Sequence, residues 1–128
     1  MPSPRPPYAA RVTSYELEVR ETDLGDVAFA ELSGELDLTN AQELERRLEQ
    51  LSKEAPALVL DLNRVQFLDS AALHVLFTLA RWLSGETRGF GVVLGEEAPV
   101  ARTISIVSLG ELATVRPTLE EVLAELRS

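Results

Sequence analysis

The sequence predicts an α/β fold: a single domain with a small mixed β-sheet, made of an N-terminal hairpin and then parallel βα units, packed with about four helices. Three observations predict it. Two segments of strand character, Ser14–Arg20 and Val27–Gly34, lie either side of the turn-forming "DLGD" of Asp23–Asp26. Beyond them the hydrophobic period changes to that of a helix, and short apolar runs then alternate with helical segments to the end of the chain. A length of 128 residues, 45% of them hydrophobic and 26% charged, suits one globular core and leaves no room for a second.

Each element has its own signature. Residues 1–12 are expected to be a flexible, partly extended tail and residues 13–128 the domain, because Met1–Ala10 holds four of the seven prolines and proline neither donates to a ladder nor sits inside a helix. In "SYELEVR", Tyr15, Leu17 and Val19 fall on one face. "VAFAELSG" is apolar on most of both faces, as an interior strand requires. "TNAQELERRLEQL" (Thr39–Leu51) puts Ala41, Leu44, Leu48 and Leu51 on one helical face. Thr39 with Gln42, or Asn40 with Glu43, has the spacing of a capping box. "ALVLDL" (Ala57–Leu62) reads as a strand covered on both sides, and "SAALHVLFTLARWL" (Ser70–Leu83) as a helix with Leu73, Leu76, Phe77, Ala80 and Leu83 inward. "FGVVLG" (Phe90–Gly95) is a further strand. "APVARTISIVSLG" (Ala98–Gly110) reads as a helix stopped by Gly110 as a left-handed cap. "ATVR" (Ala113–Arg116) is a short last strand, and "TLEEVLAELR" (Thr118–Arg127) a capped, amphipathic final helix.

Composition narrows the function. The net charge of −9, with one lysine, Lys53, and dispersed arginines, gives no basic footprint for nucleic acid or for an anionic membrane. No apolar stretch approaches the roughly 20 residues of a membrane span, and no apolar signal-peptide core opens the chain. The absence of cysteine fits a cytoplasmic protein. With one histidine, His74, the chain lacks the donors of common metal cages, and it has no phosphate-binding glycine loop, dinucleotide fingerprint or GxSxG elbow. Ser70 and His74 share a helix face at i and i+4, but no oxyanion hole or substrate pocket accompanies them. Trp82 reads as packing, and Glu96–Glu97 and Glu120–Glu121 as surface charges near helix starts. No enzyme and no cofactor is expected.

The informative junction is "FLDSAAL". Asp69 and Ser70 end a strand loop and open an apolar helix, and either can cap its free N–H groups. In a parallel arrangement the "GELD" turn at Asp37 lies on the same carboxyl edge of the sheet. Three segments here resemble the STAS domain family, the domain of sulphate transporters and bacterial anti-sigma factor antagonists. "LSGELDLTNAQEL" is similar to the family's L-[TS]-G-E-L-D followed by a helix. "LVLDLNRVQFLDSAAL" is similar to its strand, loop and D-S helix start. "APVARTISIVSLGEL" is similar to its third helix and following turn. The similarity extends over about Ser14–Arg127.

The resemblance to the antagonist members implies a phosphorylation-switched binding module regulating transcription. Ser70 matches the serine phosphorylated by a partner that is both anti-sigma factor and ATP-using serine kinase. The unphosphorylated form binds that partner and frees a sigma factor, and a PP2C-type phosphatase resets the serine. Asp37, Leu38, Thr39, Asp69, Ala71, Ala72 and His74 are the implied partner-binding residues. Many antagonists read D-S-[ST]-G-L-G where this chain has "DSAALH". Ala71 therefore leaves Ser70 as the one hydroxyl of the motif, Ala72 places a methyl where a partner approaches, and His74 adds bulk one turn on. The alternative is a constitutive scaffold subunit of a lipid-transport or stress-sensing assembly, in which Ser70 is only a helix cap. A small-ligand or nucleotide sensor is a third reading, and the lack of a phosphate loop counts against it.

Overall fold

The computed structural model describes residues 14–22 and 25–127. The proline-rich segment and the Asp23–Leu24 half of the first turn lie outside these residues. The described chain runs β1 (Tyr15–Arg20), β2 (Ala28–Leu36), α1 (Ala41–Ser52), β3 (Ala57–Leu68), α2 (Ser70–Gly85), β4 (Gly89–Val93), α3 (Ala101–Ile106), a 3₁₀ turn (Leu109–Glu111), β5 (Thr114–Arg116) and α4 (Leu119–Arg127). The strands form one sheet in the order β1-β2-β3-β4-β5, with β1 antiparallel to β2 and the other pairs parallel. This is the mixed α/β architecture that the sequence predicts.

The monotonic strand order explains the layering. Successive crossovers of one hand, stepping always towards the same edge, lay their helices on the same face. One core joins Leu32, Leu36 and Leu60 of the sheet to Leu44 and Leu48 of α1, Leu76 and Leu83 of α2, and Ile104 of α3. α4 follows the last strand and covers the other face, where Val122 and Leu123 meet Phe29, Val59 and Val93. Gly91 permits this close approach, since a Cβ there would collide with the Val122 side chain.

Several elements depart from the sequence reading. β3 continues six residues past Leu62, to Leu68, and its pairing with β2 resumes at Arg64 and reaches Leu68. Its pairing register shifts between Glu31 and Ser33 and again between Gly34 and Glu35. At the first shift Asp61 Oδ1 accepts from the backbone and side-chain nitrogens of Asn63 at 2.9 and 3.0 Å, a local turn that supplies the extra residue of a bulge. The inward residues of α2 are Ala72, Val75, Leu76, Leu79, Ala80 and Leu83, with Leu73 and Phe77 only partly buried. Apolar residues nearly encircle this helix, so periodicity alone leaves its rotational phase open. The expected helix over Ala98–Gly110 is broken into α3 and the 3₁₀ turn. The left-handed residue is Ser108 at φ 58°, not Gly110. Pro99 delays the start, β-branched Thr103, Ile104 and Val107 weaken the run, and the break buries Leu109 completely. α1 forms neither capping box: Asn40 is its N-cap, but no side-chain cap bond forms. Thr118 does cap α4, accepting from the Glu121 N–H at 3.2 Å.

Two tertiary contacts seat the helices. Tyr15 ties β1 to α1, donating to Glu43 Oε1 at 2.8 Å and accepting from Arg47 Nη1 at 3.1 Å. Burial pushes the Tyr15 hydroxyl pKa above its ordinary value, with Arg47 pulling the other way. Arg88, just before β4, reaches the end of α1, where Nη1 donates to the carbonyls of Ser52, Lys53 and Ala55. Its guanidinium stacks 4.7 Å from the Trp82 ring centroid and pairs with Glu86 at 2.9 Å. Arg88 thus caps α1 from a distance and joins it to α2. Arg88→Met is expected to cost about 2–3 kcal/mol, because it leaves those carbonyls without their donor. Urea denaturation monitored by Trp82 fluorescence measures this; an unchanged midpoint would refute the capping role.

Candidate functional site

The carboxyl ends of β2 and β3 lie side by side, with Leu36 opposite Leu68, both buried. Each strand then leads into a helix, through Asp37–Asn40 and through Asp69 respectively. Asp69 N–H donates to the Leu36 carbonyl at 3.1 Å, which extends the pairing up to the first residue outside the sheet.

One carboxylate organises both junctions. Asp69 sits at the N-cap of α2 with extended backbone, φ −99° and ψ −175°. Its Oδ1 accepts from the Ala72 N–H at 3.0 Å, and its Oδ2 from the Leu38 N–H at 2.9 Å. The first bond satisfies an orphan donor of the helix. The second fixes the neighbouring loop. Asp37 stabilises that loop locally, accepting at Oδ1 from the Thr39 N–H at 2.9 Å and from the Thr39 hydroxyl. Asn40, 8% exposed, accepts from the Asp37 N–H at 3.0 Å and donates from Nδ2 to the Glu35 carbonyl at 2.9 Å. Its amide is spent on the loop, which is why it forms no side-chain cap on α1.

Ser70 is therefore not the cap. It is the first residue of α2 and is exposed, and among the described residues no hydrogen bond engages its hydroxyl. The cap assigned to either residue by the sequence belongs to Asp69, whose carboxylate reaches an N–H three residues on. Around Ser70 the structure gathers most of the residues singled out above. Leu38 and Thr39 are exposed, and Asp37, Asp69 and Ala71 are half-buried. His74 is exposed one turn along α2. Ala72 departs from expectation: its side chain is fully buried in the core and its N–H is held by Asp69, so its methyl is not at the surface.

Sequence reasoning missed Asn40 as the organiser of the loop, and it missed Phe67. Phe67, opposite Glu35 at the end of β3, is 48% exposed, and Leu38 is 78% exposed. The signal for Phe67 was the apolar residue two before Asp69, in a segment read as loop. Leu38, whose N–H is held by Asp69, gives the acidic rim of Asp37 and Asp69 an apolar component, as protein-binding surfaces have. A cavity of about 560 Å³, lined by Leu94, Arg102, Ser105, Ser108 and Val115 among others, lies at α3 and includes neither Asp37, Asp69 nor Ser70. Among the described residues no group of three or more His, Cys, Asp or Glu side chains is placed to hold a metal ion, and no helix is long and apolar enough to cross a membrane.

Comparison with known proteins agrees with this geometry. The family model for the STAS domain matches residues 18–122. The anti-sigma-F factor antagonist RsfB of Mycobacterium tuberculosis is 31% identical over 112 residues, which are 87% of this chain and 90% of RsfB. The crystal structure of an anti-sigma factor antagonist from Mycobacterium paratuberculosis is similar at a TM-score of 0.78 and 34% identity, over 90% of this chain and 96% of that one. The Bacillus anti-sigma factor antagonist SpoIIAA shares the fold at lower identity. Its unphosphorylated form gives a TM-score of 0.64 at 18% identity, over 89% of this chain and 96% of that one. Its phosphorylated form gives 0.60 at 19%, over 89% and 100%. The chain belongs to the STAS domain family, and these relatives within it are anti-sigma factor antagonists.

The double role of Asp69 has a measurable consequence. Asp69→Ala removes both bonds and is expected to cost about 2 kcal/mol, whereas Asp69→Asn keeps one acceptor oxygen and is expected to cost about half as much. Thermal unfolding of the two variants beside the parent distinguishes them; equal stabilities for all three would show that the carboxylate does not hold the junction.

Proposed function

We propose that this domain is an anti-sigma factor antagonist switched by phosphorylation of Ser70, binding an anti-sigma factor that is also an ATP-using serine kinase and thereby freeing a sigma factor. The observation that carries this reading is the division of labour at the α2 N-terminus. Asp69 performs the capping, which leaves the Ser70 hydroxyl exposed at the edge of an ordered surface. RsfB, at 31% identity, and the Mycobacterium paratuberculosis protein, at 34%, are named as anti-sigma factor antagonists. That SpoIIAA has a phosphorylated form supports the switch. In the scaffold alternative Ser70 is only a helix cap, whereas the cap bond here is made by Asp69.

The physics of the position suits a switch. A phosphoserine adds about −1.5 to −2 charge and three strong acceptors. At the first residue of a helix the macrodipole favours that charge by roughly 0.3–1 kcal/mol, so the domain remains folded. A partner surface shaped around a small neutral hydroxyl beside Asp37 and Asp69 instead loses its fit, because the bulky phosphate must be accommodated and desolvated there. A loss of about 2.8 kcal/mol is a hundredfold in affinity. Leu38 is the apolar anchor of the contact, with Thr39, Ala71 and His74 around it, while the buried Ala72 contributes by packing. A PP2C-type phosphatase is the reset enzyme in this scheme, and the domain itself contributes no catalytic group. Residues 13–128 are the binding unit.

The test is incubation with ATP and the kinases encoded beside this gene, read by intact mass. One added phosphate is expected, at Ser70, and none on Ser70→Ala. No added mass with any of these kinases would leave the constitutive scaffold as the better reading. Leu38→Ala is expected to leave stability within about 0.5 kcal/mol of the parent, because the side chain is exposed, yet to weaken binding of the anti-sigma factor about tenfold or more. Calorimetry measures both; unchanged affinity would remove Leu38 from the interface.

A further inference from the structure

β1 is an outer strand of the sheet, and among the described residues no strand lies beyond it. The Ser14 carbonyl accepts from the Glu35 N–H at 3.0 Å, and Tyr15 lies opposite Gly34. Bonded and non-bonded pairs alternate along an antiparallel ladder. The backbone groups of Glu16 and Glu18 therefore face β2, and the N–H and C=O groups of Leu17 and Val19 face outwards. The other edge strand, β5, has three residues, whereas β1 has six. Edge strands are blunted by proline, a bulge, charge or a covering element. β1 has no proline and pairs with β2 without a register shift, so charge is what guards it.

That charge is of one sign. Glu16 and Glu18 are exposed on the face of β1 away from α1, and Glu31 lies opposite Glu18. These three carboxylates surround one base, Arg20, which pairs with Glu18 at 2.9 Å and also with Glu31. The face towards α1 is apolar instead. Leu17 is half-buried, and Val19 is 61% exposed. Between β1 and α1 runs a groove of about 460 Å³, lined by Leu17, Val19, Arg46, Gln50 and Leu51 among others. The edge thus offers free backbone groups, an apolar groove on one side and carboxylates on the other.

We propose that the β1 edge is a second docking surface, which binds by strand addition an extended segment of a partner protein in which basic and apolar residues alternate. Strand addition takes its affinity from main-chain hydrogen bonds and its specificity from alternate side chains. The bonds come from the outward groups of Leu17 and Val19. Side chains of an added strand alternate between the two faces of the sheet. Its apolar residues enter the groove beside Leu17 and Val19. Its basic residues stand about 5 Å from Glu16 and Glu18, the distance of a cross-strand pair. Like charges placed opposite one another are destabilising. A second copy of the chain, with its net charge of −9, is therefore disfavoured, and a basic segment is selected. Arg20 lies opposite Phe29, near the start of β2, whereas Asp37 follows the end of that strand. The edge is thus distinct from the Ser70 surface, and the inference does not rest on Ser70 being phosphorylated.

The probe is an acetylated, amidated heptapeptide of alternating lysine and valine, titrated into the full ¹⁵N-labelled chain and followed by NMR. The amide signals of residues 16–20 are expected to shift, and hydrogen exchange at the Leu17 and Val19 N–H groups to slow. Two altered peptides separate the contributions. One carries glutamate for every lysine, and the other keeps the side chains but has every backbone nitrogen methylated. Each is expected to bind about tenfold more weakly or worse. The Glu16→Gln/Glu18→Gln chain is expected to bind the lysine peptide roughly fivefold to tenfold more weakly than the parent. Equal binding of the methylated peptide would overturn strand addition without requiring any variant of the protein to fold. Equal binding of the glutamate peptide would overturn the selection by charge. Exchange at Leu17 and Val19 that slows with protein concentration alone would also overturn the proposal, by giving the edge to a second copy of the chain.

Discussion

The two bonds of the Asp69 carboxylate are the constraint on which the candidate site depends. A capping residue ordinarily serves only its own helix. Here one oxygen holds the α2 N-terminus and the other holds the loop between β2 and α1. The two loops form a single ordered surface because they share an anion. That sharing also relieves Ser70 of any structural duty. A phosphate on the exposed Ser70 hydroxyl leaves the Asp69 cap bond in place.

The sheet brings the two loops within reach of that carboxylate. β3 gains two residues on β2 through two register shifts, and the gain carries β3 to Leu68, opposite Leu36, instead of ending at Leu62. Asp61 and Asn63 make the first of these irregularities locally favourable. Without them Asp69 would not follow directly on a paired residue, and its second oxygen would not face Leu38. Arg88 has a similar long-range role at the opposite ends of the helices, closing the α1 C-terminus and stacking on Trp82. α1 and α2 are thus held at both ends, at one by Asp69 and at the other by Arg88.

The fold was legible because its signals are local and repeated. Strand period, helix period and their alternation specify ββαβαβαβα, and each crossover then has one favourable hand. The chemical character of the site was legible too, since "GELD" and "LDS" put acids and hydroxyls at strand ends where polar residues need a reason. Less legible were features decided by competition between partners. Asn40 stands where a cap is expected, but its amide finds better partners in Glu35 and Asp37. Ala72 belongs to a surface motif by sequence and to the core by packing. The Ala98–Gly110 segment has helical period, and burial of Leu109 breaks it.

By itself, the sequence determined the order and type of the elements, the single mixed sheet, and the carboxyl edge where acids and a hydroxyl converge, because these follow from patterns within a few residues of one another. Only the tertiary structure decided which residue caps α2, which way α2 is rotated, how far β3 runs, and that Leu38 is held exposed at the junction that carries Ser70. Each of those depends on a hydrogen bond or a packing choice made between segments distant in sequence: Asp69 with Leu38, Leu36 with Leu68, α2 with α1 and the sheet. Local pattern assigns a residue to an element, and the free energy of its contacts across the fold assigns its role.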